Sequence, residues 1–354
     1  MNREGKIWLL VGMAGIGLFL YYLGPILTPF LISALLAWLG DPVADKLETW
    51  KFPRSLAVVV VFIGTFLILG LLLLLIVPMV GREVAALTTR APELAAWFQN
   101  TAAPWLVVHM HMDPERLKLE NLSGYLTENF QSAGQLASNT LATVTHSGHT
   151  LFVFVISVLL VPVVTFYWLR DWDIFKARIA DLVPRSQSAH VERLARECDA
   201  VLAAFFRGQL LVMICLASLY SVGLTLVGLD NAVAIGVIAG LLGFVPYLGM
   251  TTGIILALLS AVLQGGDGWL PLWVVLVFAV GVTLDSSVLT PRLVGGRIGL
   301  HPVMVIFAIL AGGQVFGFVG VLLALPVAAA CMVFARHLRD RYIESDFYRD
   351  GGAP

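Results

Sequence analysis

Three stretches of this chain contain no Asp, Glu, Lys or Arg, and each is too long for a single membrane helix. They cover residues 7–40, 231–266 and 298–335. A bilayer core about 30 Å thick is crossed by roughly 20 helical residues, so a run of roughly 35 far overshoots it. We therefore expect each run to turn back on itself as a helical hairpin.

Glycine and proline residues lie near the middle of each run, where a hairpin would reverse. The expected breaking residues are Gly24, Pro25 and Pro29 in the first run, Gly243, Pro246 and Gly249 in the second, and Gly312, Gly313, Gly317 and Gly320 in the third. A broken helix at membrane depth leaves backbone groups unpaired, which is tolerated only where protein or a water-filled cavity covers them. Transporters build their sites at such breaks.

The composition supports an integral membrane protein. Hydrophobic residues make up 59% of the chain and charged residues only 13%, which lies outside the range of soluble domains. We predict an all-α polytopic helical bundle with broken helices or re-entrant hairpins and a small helical extramembrane layer. The net charge of -1 argues against a nucleic-acid partner. The three cysteines are isolated and lack CxxC spacing, so we predict no disulfide, no metal site and no cofactor.

Hydropathy and charge divide the chain into six predicted segments. These are N-terminal membrane helices (1–81), an extracytoplasmic amphipathic helical segment (82–150), a membrane span (151–170), a cytoplasmic amphipathic segment (171–207), a transport core with two inverted hairpins (208–337) and a cytoplasmic tail (338–354). The second membrane helix is expected to end at Pro78 and Gly81.

The distribution of Lys and Arg predicts the orientation, if all three runs return to the side from which they enter. With both termini in the cytoplasm, all but four of the 22 Lys and Arg residues lie on the cytoplasmic side, as the positive-inside rule requires. The predicted location is the inner (plasma) membrane, with multiple passes. The second and third hairpins would then enter from opposite faces, as in inverted-repeat transporters.

Several motifs of the C-terminal half resemble the AI-2E transporter family, also called PerM-like permeases. They are Phe244-Val-Pro-Tyr-Leu-Gly249, Asp285-Ser-Ser-Val-Leu-Thr-Pro-Arg292, Gly299-Leu-His-Pro302, Phe316-Gly-Phe-Val-Gly320 and Leu325-Pro326. The N-terminal half is similar in layout. One departure is that the family more often carries Glu where this chain has Asp285.

The resemblance implies transport as the class of function but does not identify the transported molecule. The family includes exporters of the signalling molecule autoinducer-2, and other members are linked to sodium/proton antiport. The resemblance also implies a homo-oligomer, with a pentamer as the expected assembly, and an elevator-like movement within each protomer.

Asp285 is the main candidate for a functional side chain, because it is a carboxylate inside an otherwise apolar span. A charge in that position is costly, so an intramembrane acid is a functional hypothesis by default. It could couple proton or sodium movement to transport. The alternative is that it lies near the interface and pairs with Arg292 or Arg297.

The other candidates lie at the breaks and at the start of a span. The predicted substrate or ion pathway comprises Asp285, Gln314, Pro246, Tyr247, Gly249 and Gln209, and the predicted hinge or gate positions are Gly243, Pro291, Gly313, Gly317 and Gly320. Structural roles remain open for them: a hairpin tip needed only for folding, close packing at the glycines, and interface anchoring by Tyr247 and Gln209.

These features predict a transporter that moves a small polar molecule such as autoinducer-2 outward by alternating access. The alternatives are a sodium/proton antiporter and a passive channel. An enzyme is not predicted, since the sequence has no GxSxG, no HExxH and no paired intramembrane carboxylates. The expected partners are a small polar substrate, H+ or Na+, the lipid bilayer and further copies of the chain.

Overall fold

The computed structural model describes residues 3–97, 99–100, 103–110, 148–265, 268–294, 301–344 and 348, and within these ranges every regular element is a helix. The helices are α1 (Arg3–Thr49), α2 (Arg54–Trp97), α3 (Ala103–Met110), α4 (Gly148–Leu182), α5 (Ser188–Leu226), α6 (Ala232–Leu242), α7 (Leu248–Gln264), α8 (Leu270–Leu284), a π-helix (Asp285–Val294) and α9 (Pro302–Glu344).

In the described part of the chain, five segments are long and apolar enough to cross a membrane. They are Ile26–Thr49, Arg54–Glu83, Ser188–Leu226, Leu270–Val294 and Pro302–Glu344. The prediction of an all-α polytopic membrane protein is confirmed.

The chain forms two compact units, each assembled from separate stretches of sequence. The first unit comprises Met1–Ile68, Ser157–Phe206 and Gly295–Pro354, and the second comprises Leu69–Ile156 and Arg207–Val294. The second charge-free run therefore belongs to the second unit, and the third run belongs to the first. The six predicted segments divide the chain in a different way, and that division stays a prediction.

Small residues allow close helix packing in the first unit. Its buried core consists of Ala37, Ala44, Ala57, Val58, Val61 and Leu169, which come from α1, α2 and α4. A Cβ atom at Gly40 would lie only 3.0 Å from Val61 Cγ1. Such close approach is how membrane helices associate where lipid and protein are equally apolar.

The predicted hairpin in the first charge-free run is wrong, because α1 is one continuous helix of 47 residues. At 1.5 Å per residue it is about 70 Å long, and a continuous helix crosses the bilayer no more than once. Gly24 provides a close contact in place of a turn, since a Cβ there would lie 2.8 Å from the carbonyl oxygen of Val315.

Hydroxyl groups support α1 around its two prolines. The Thr28 hydroxyl donates to the Gly24 carbonyl at 2.9 Å, and the Ser33 hydroxyl donates to the Pro29 carbonyl at 2.7 Å. The carbonyls that lose a donor to the prolines are those of Tyr21 and Pro25, so these hydroxyls add bonds to α1 and do not replace the missing ones. The predicted orientation assumed that all three charge-free runs return to the side from which they enter. The continuous α1 does not return, so the cytoplasmic location of both termini stays a prediction.

The second charge-free run is a hairpin, as predicted. Its arms are α6 and α7, joined by residues 243–247. A Cβ at Gly253 would lie 2.5 Å from the Ala239 side chain, so the arms touch along their length. At 11 and 17 residues, the arms measure about 16 and 25 Å. Because α6 is too short to cross a core about 30 Å thick, the hairpin is re-entrant.

The third charge-free run also reverses, as predicted. Gly317 interrupts α9 with φ 59° and ψ -141°, a conformation that favours glycine. In an unbroken helix Gly312 and Gly320 would lie about 12 Å apart. Here the carbonyl group of each glycine occupies the space that a Cβ atom on the other glycine would need. The two arms of α9 therefore run back along each other from a tip at Gly317.

The second span ends close to Pro78 and Gly81, as predicted, because the segment that is long and apolar enough to cross a membrane is Arg54–Glu83; helix α2 itself continues to Trp97. Membrane helices tolerate an internal proline when neighbouring groups compensate for its missing N–H. Beyond α2 and α3, residues 111–147 of the predicted extramembrane layer lie outside the described residues. Residues 171–182 of the predicted cytoplasmic amphipathic segment continue α4, and residues 188–207 form one helix, α5, with the span that follows.

Candidate functional site

The second unit contains a π-helix that begins at Asp285 and includes Pro291. A π-helix winds with an i to i+5 period, is rare, and is found frequently at functional sites. This winding brings Thr290 beside Asp285, and the Thr290 hydroxyl donates to Asp285 Oδ1 at 2.7 Å. In an α-helix two residues five apart do not face each other. The π winding therefore creates the polar pair.

The structural alternative for Asp285 was an ion pair with a neighbouring arginine. Asp285 and Arg292 are both described, and no ion pair joins them; Arg297 lies outside the described residues. Asp285 is half-buried, and Arg292 is exposed. Within the described residues the carboxylate accepts its hydrogen bond from Thr290 through Oδ1.

Tyr220 on α5 is a further polar group near Asp285. Its ring is buried and stacks on Phe278, with centroids 4.6 Å apart. Its hydroxyl would lie 2.7 Å from a Cβ at Gly281, one turn before Asp285. The phenol is close enough to interact electrostatically with the Asp285 carboxylate. Sequence reasoning missed Tyr220, although a phenol in an apolar span usually needs a polar partner.

Gln209 connects the start of α5 to the second hairpin. It is buried, and its amide donates to the Gly243 carbonyl at 2.8 Å. The preceding residue, Gly208, packs directly against the carbonyl of Leu293 in the π-helix, with no room for a Cβ. One turn of α5 therefore contacts both the hairpin tip and the C-terminal end of the π-helix, whereas Asp285 lies at the opposite end of that helix.

The tip of the second hairpin has one strained residue. Tyr247 has φ 67° and ψ -27°, and it is 62% exposed. Positive φ is uncommon for a bulky residue and indicates strain or function. Pro246 precedes it, and Gly249 after it is buried against the Ala239 carbonyl and the Gly243 amide. Gly249 therefore serves close packing of the arms, and Tyr247 is the side chain that the tip presents.

The remaining candidates lie on the third hairpin, in the first unit. Gln314 is exposed and lies less than one turn before the tip at Gly317. A Cβ at Gly313 would meet a Val321 side chain at 3.1 Å, and Gly320 packs on the first arm. Gln314 and Asp285 belong to different units, so their predicted cooperation at one pathway stays a prediction.

A buried acid at the end of the α2 span was also missed by sequence reasoning. Glu83 is 7% exposed and is hydrogen bonded to the Asn231 side chain. Asn231 has φ 57° and precedes α6. Glu83, Arg90, Asp230 and Asn231 line a cavity of about 230 Å³ in the second unit.

The first unit contains three acids close enough to hold a cation: Asp41, Asp45 and Asp173. The chain's own cations already occupy this position. Arg54 donates to Asp41 at 2.8 Å and to Asp45 at 2.6 Å, and Lys176 donates to Asp173 at 2.7 Å. The Lys176 ammonium holds the pKa of the Asp173 carboxyl below its usual range. The cluster is therefore an ion-pair network that joins α1, α2 and α4.

Comparison with known proteins gives the same family over most of the chain. The model of the "AI-2E family transporter" family matches residues 10–340. "Putative transport protein YrrI" of Bacillus subtilis is 28% identical over 88% of this chain and 86% of its own length. "Putative transport protein YueF" of the same organism is 24% identical over 89% and 85%. "Putative permease PerM" of Escherichia coli K12 is 24% identical over 92% and 91%. The chain therefore belongs to the AI-2E transporter family and is a multi-pass membrane transporter.

Proposed function

We propose that this protein exports a small polar molecule such as autoinducer-2 across the plasma membrane by alternating access. The observation that carries the proposal is the polar group set around Asp285. A carboxylate, the Thr290 hydroxyl and the Tyr220 phenol lie near one another on two of the segments that are apolar enough to cross a membrane, Ser188–Leu226 and Leu270–Val294. Such groups are costly in a membrane and are kept where they bind or move a solute.

The re-entrant second hairpin supports a carrier. Its tip places backbone at a depth where unpaired groups need protein or water around them. The Gln209 amide already occupies the Gly243 carbonyl, so the tip is held by a specific bond. In the proposed cycle the hairpins around Pro246 and Gly317 form the gate. Asp285 and Gln314 provide the polar contacts, and Gly243, Pro291, Gly313 and Gly320 allow the arms to move.

Sodium/proton antiport is the second candidate, and one observation favours it. Asp285 and Thr290 present a carboxylate and a hydroxyl on one face of the π-helix, and oxygen atoms are the ligands that hard cations prefer. A proton on Asp285 and a sodium ion beside it would compete for the same carboxylate. Ion-coupled export would use the same competition. The two functions are therefore distinguished by whether ion exchange requires the exported substrate.

Alternating access has a direct test in reconstituted vesicles. Vesicles loaded with unlabelled autoinducer-2 are diluted into labelled autoinducer-2, with no ion gradient. A carrier exposes one site to each side of the membrane in turn, so labelled molecules enter in exchange for unlabelled molecules that leave. The label then accumulates transiently inside the vesicles, because this exchange is faster than net loss of the molecule. Accumulation equal to that of empty vesicles would remove autoinducer-2 as the substrate, and single-channel currents in a planar bilayer would establish a channel.

Two further properties belong to the same proposal. The protein forms a homo-oligomer, for which the family resemblance suggests a pentamer, and the C-terminal arginines lie in the cytoplasm. Mass photometry of the detergent-solubilised protein measures the subunit number. A C-terminal reporter that is active only in the cytoplasm tests the orientation. The proposal involves no enzymatic step.

A further inference from the structure

The buried acid Glu83 of the second unit lies at the end of a membrane span. It ends the apolar segment Arg54–Glu83 of α2 and is hydrogen bonded to the Asn231 side chain. That segment has 30 residues and is about 45 Å long, which is the thickness of a bilayer with its headgroups. Glu83 therefore lies at headgroup level. A neutral amide does not compensate the charge of a buried carboxylate, which is stabilised by a cation.

An apolar cavity of about 580 Å³ follows α2 on the bilayer side of Glu83. Leu74, Leu75 and Pro78 line it, together with Glu83 itself and with Arg82 at the end of the span. Leu74 and Leu75 are exposed, and exposed apolar side chains of a membrane span face the lipid. The cavity is therefore accessible to an acyl chain, and its charged end carries an arginine and an acid.

A polar cavity of about 230 Å³ adjoins the apolar one, because Glu83 lines both. Arg90, Asp230 and Ser260 also line the polar cavity. Its acids outnumber its bases by one, so the lining attracts a single positive charge. Asp230 is held in place, since the Gln264 side chain at the end of α7 accepts from its backbone N–H at 2.9 Å. The polar cavity therefore suits a small cationic group that reaches it from the apolar cavity.

Phosphatidylethanolamine carries matching groups in the same order: acyl chains, a phosphate and then a primary ammonium. We propose that the second unit binds one molecule of this lipid, with an acyl chain along the apolar cavity, the phosphate at Arg82 and the ammonium at Glu83 and Asp230. A guanidinium suits phosphate, and an ammonium has three N–H groups to donate to carboxylates. The lipid links α2 to the start of the second hairpin at Asn231. The site does not involve Asp285, so it does not rest on the proposed transport function.

Native mass spectrometry of the full-length protein in mild detergent tests the site by changing the lipid alone. Phosphatidylethanolamine and phosphatidylcholine with identical acyl chains are added at equal concentration, and the fraction of protein that carries one lipid is measured. The two lipids share the phosphate and differ in the ammonium, which in phosphatidylcholine is trimethylated and has no N–H to donate. The wild type should bind phosphatidylethanolamine about tenfold more tightly, as expected for one hydrogen bond between charged groups. Equal binding of the two lipids would overturn the proposal.

Substitutions then locate the site. Glu83→Gln keeps the side-chain shape and removes the charge, so the preference for phosphatidylethanolamine should disappear. Arg82→Gln should weaken both lipids alike, because both carry the phosphate. Glu93→Gln makes the same change at an exposed acid farther along α2 and is the matched control, which should keep the wild-type preference. A preference that survives Glu83→Gln would refute the assignment.

A soluble competitor distinguishes the lipid from a free amine. Phosphoethanolamine has the same phosphate and ammonium but lacks the acyl chains that would fill the apolar cavity. In excess it should leave phosphatidylethanolamine bound to the wild type. Displacement of the lipid by phosphoethanolamine would assign the polar cavity to a soluble amine and would contradict lipid binding.

Discussion

The contact between Gly312 and Gly320 makes Gly320→Ala a sharp test of the third hairpin. A methyl group at residue 320 would overlap the carbonyl of Gly312, and both atoms involved on the opposite arm are backbone. A flexible side chain could move away, but two helical backbones can relieve the overlap only by separating. The arms would then lose packing along their length, and the tip at Gly317 would shift.

The size of the effect follows from two opposing contributions. Overpacking a well-packed interface costs about 1–3 kcal/mol. Replacement of glycine by alanine inside a helix returns about 0.5–1 kcal/mol. The net loss is about 0–2.5 kcal/mol, and for a unit of roughly 150–250 residues each kcal/mol lowers Tm by about 2–4 °C. Gly320→Ala should therefore unfold below the wild type, by up to about 10 °C.

Intrinsic-fluorescence unfolding of the detergent-solubilised protein measures the difference. Gly64→Ala on α2 is the matched control, because nothing lies within 4 Å of a Cβ there. The control keeps the helix-propensity gain without the overlap, so its Tm should equal or slightly exceed that of the wild type. If Gly320→Ala unfolds at the same temperature as Gly64→Ala, the two arms do not pack as described.

Three further substitutions probe the second unit. Gln209→Leu should destabilise it by about 1–3 kcal/mol, seen as a lower Tm, because the half-buried Gly243 carbonyl loses its donor. Thr290→Val should slow autoinducer-2 flux in vesicles, and Thr290→Ser should restore it, because a hydrogen bond to the charged Asp285 contributes about 1.5–3 kcal/mol. Tyr247→Gly should raise Tm by relieving about 1–2 kcal/mol of backbone strain.

Each of these outcomes has a clear opposite. An unchanged Tm in Gln209→Leu would mean that water replaces the amide at the hairpin tip. Equal flux in the valine and serine variants at position 290 would show that the Thr290 hydroxyl takes no part in transport. A lower Tm in Tyr247→Gly would show that the tyrosine ring contributes more by packing than its backbone loses by strain.

The two late hairpins were predictable because their breaking residues also make the contacts that a reversal needs. Gly249 packs on the Gly243 amide, and Gly320 packs on Gly312, so a single pattern in sequence marks both the turn and the touching arms. The first run carries the same residue types and does not turn. Gly24 approaches Val315, which is distant in sequence, and local sequence does not distinguish a turn glycine from a contact glycine.

The polar site was predictable only in part. Asp285 is visible as an acid in an apolar span, but the π winding that pairs it with Thr290 depends on which backbone hydrogen bonds form. The position of Tyr220 near Asp285 depends on how separate helices pack.

The most direct test of the central claim is flux of autoinducer-2 in sealed vesicles under imposed proton and sodium gradients, comparing wild type with Asp285→Asn. The account predicts that a gradient of one of these ions drives transport by the wild type, and that the variant folds with a similar Tm but loses this response. Gradient-driven flux that is equal in the two proteins across a pH series would contradict the role of Asp285 in coupling.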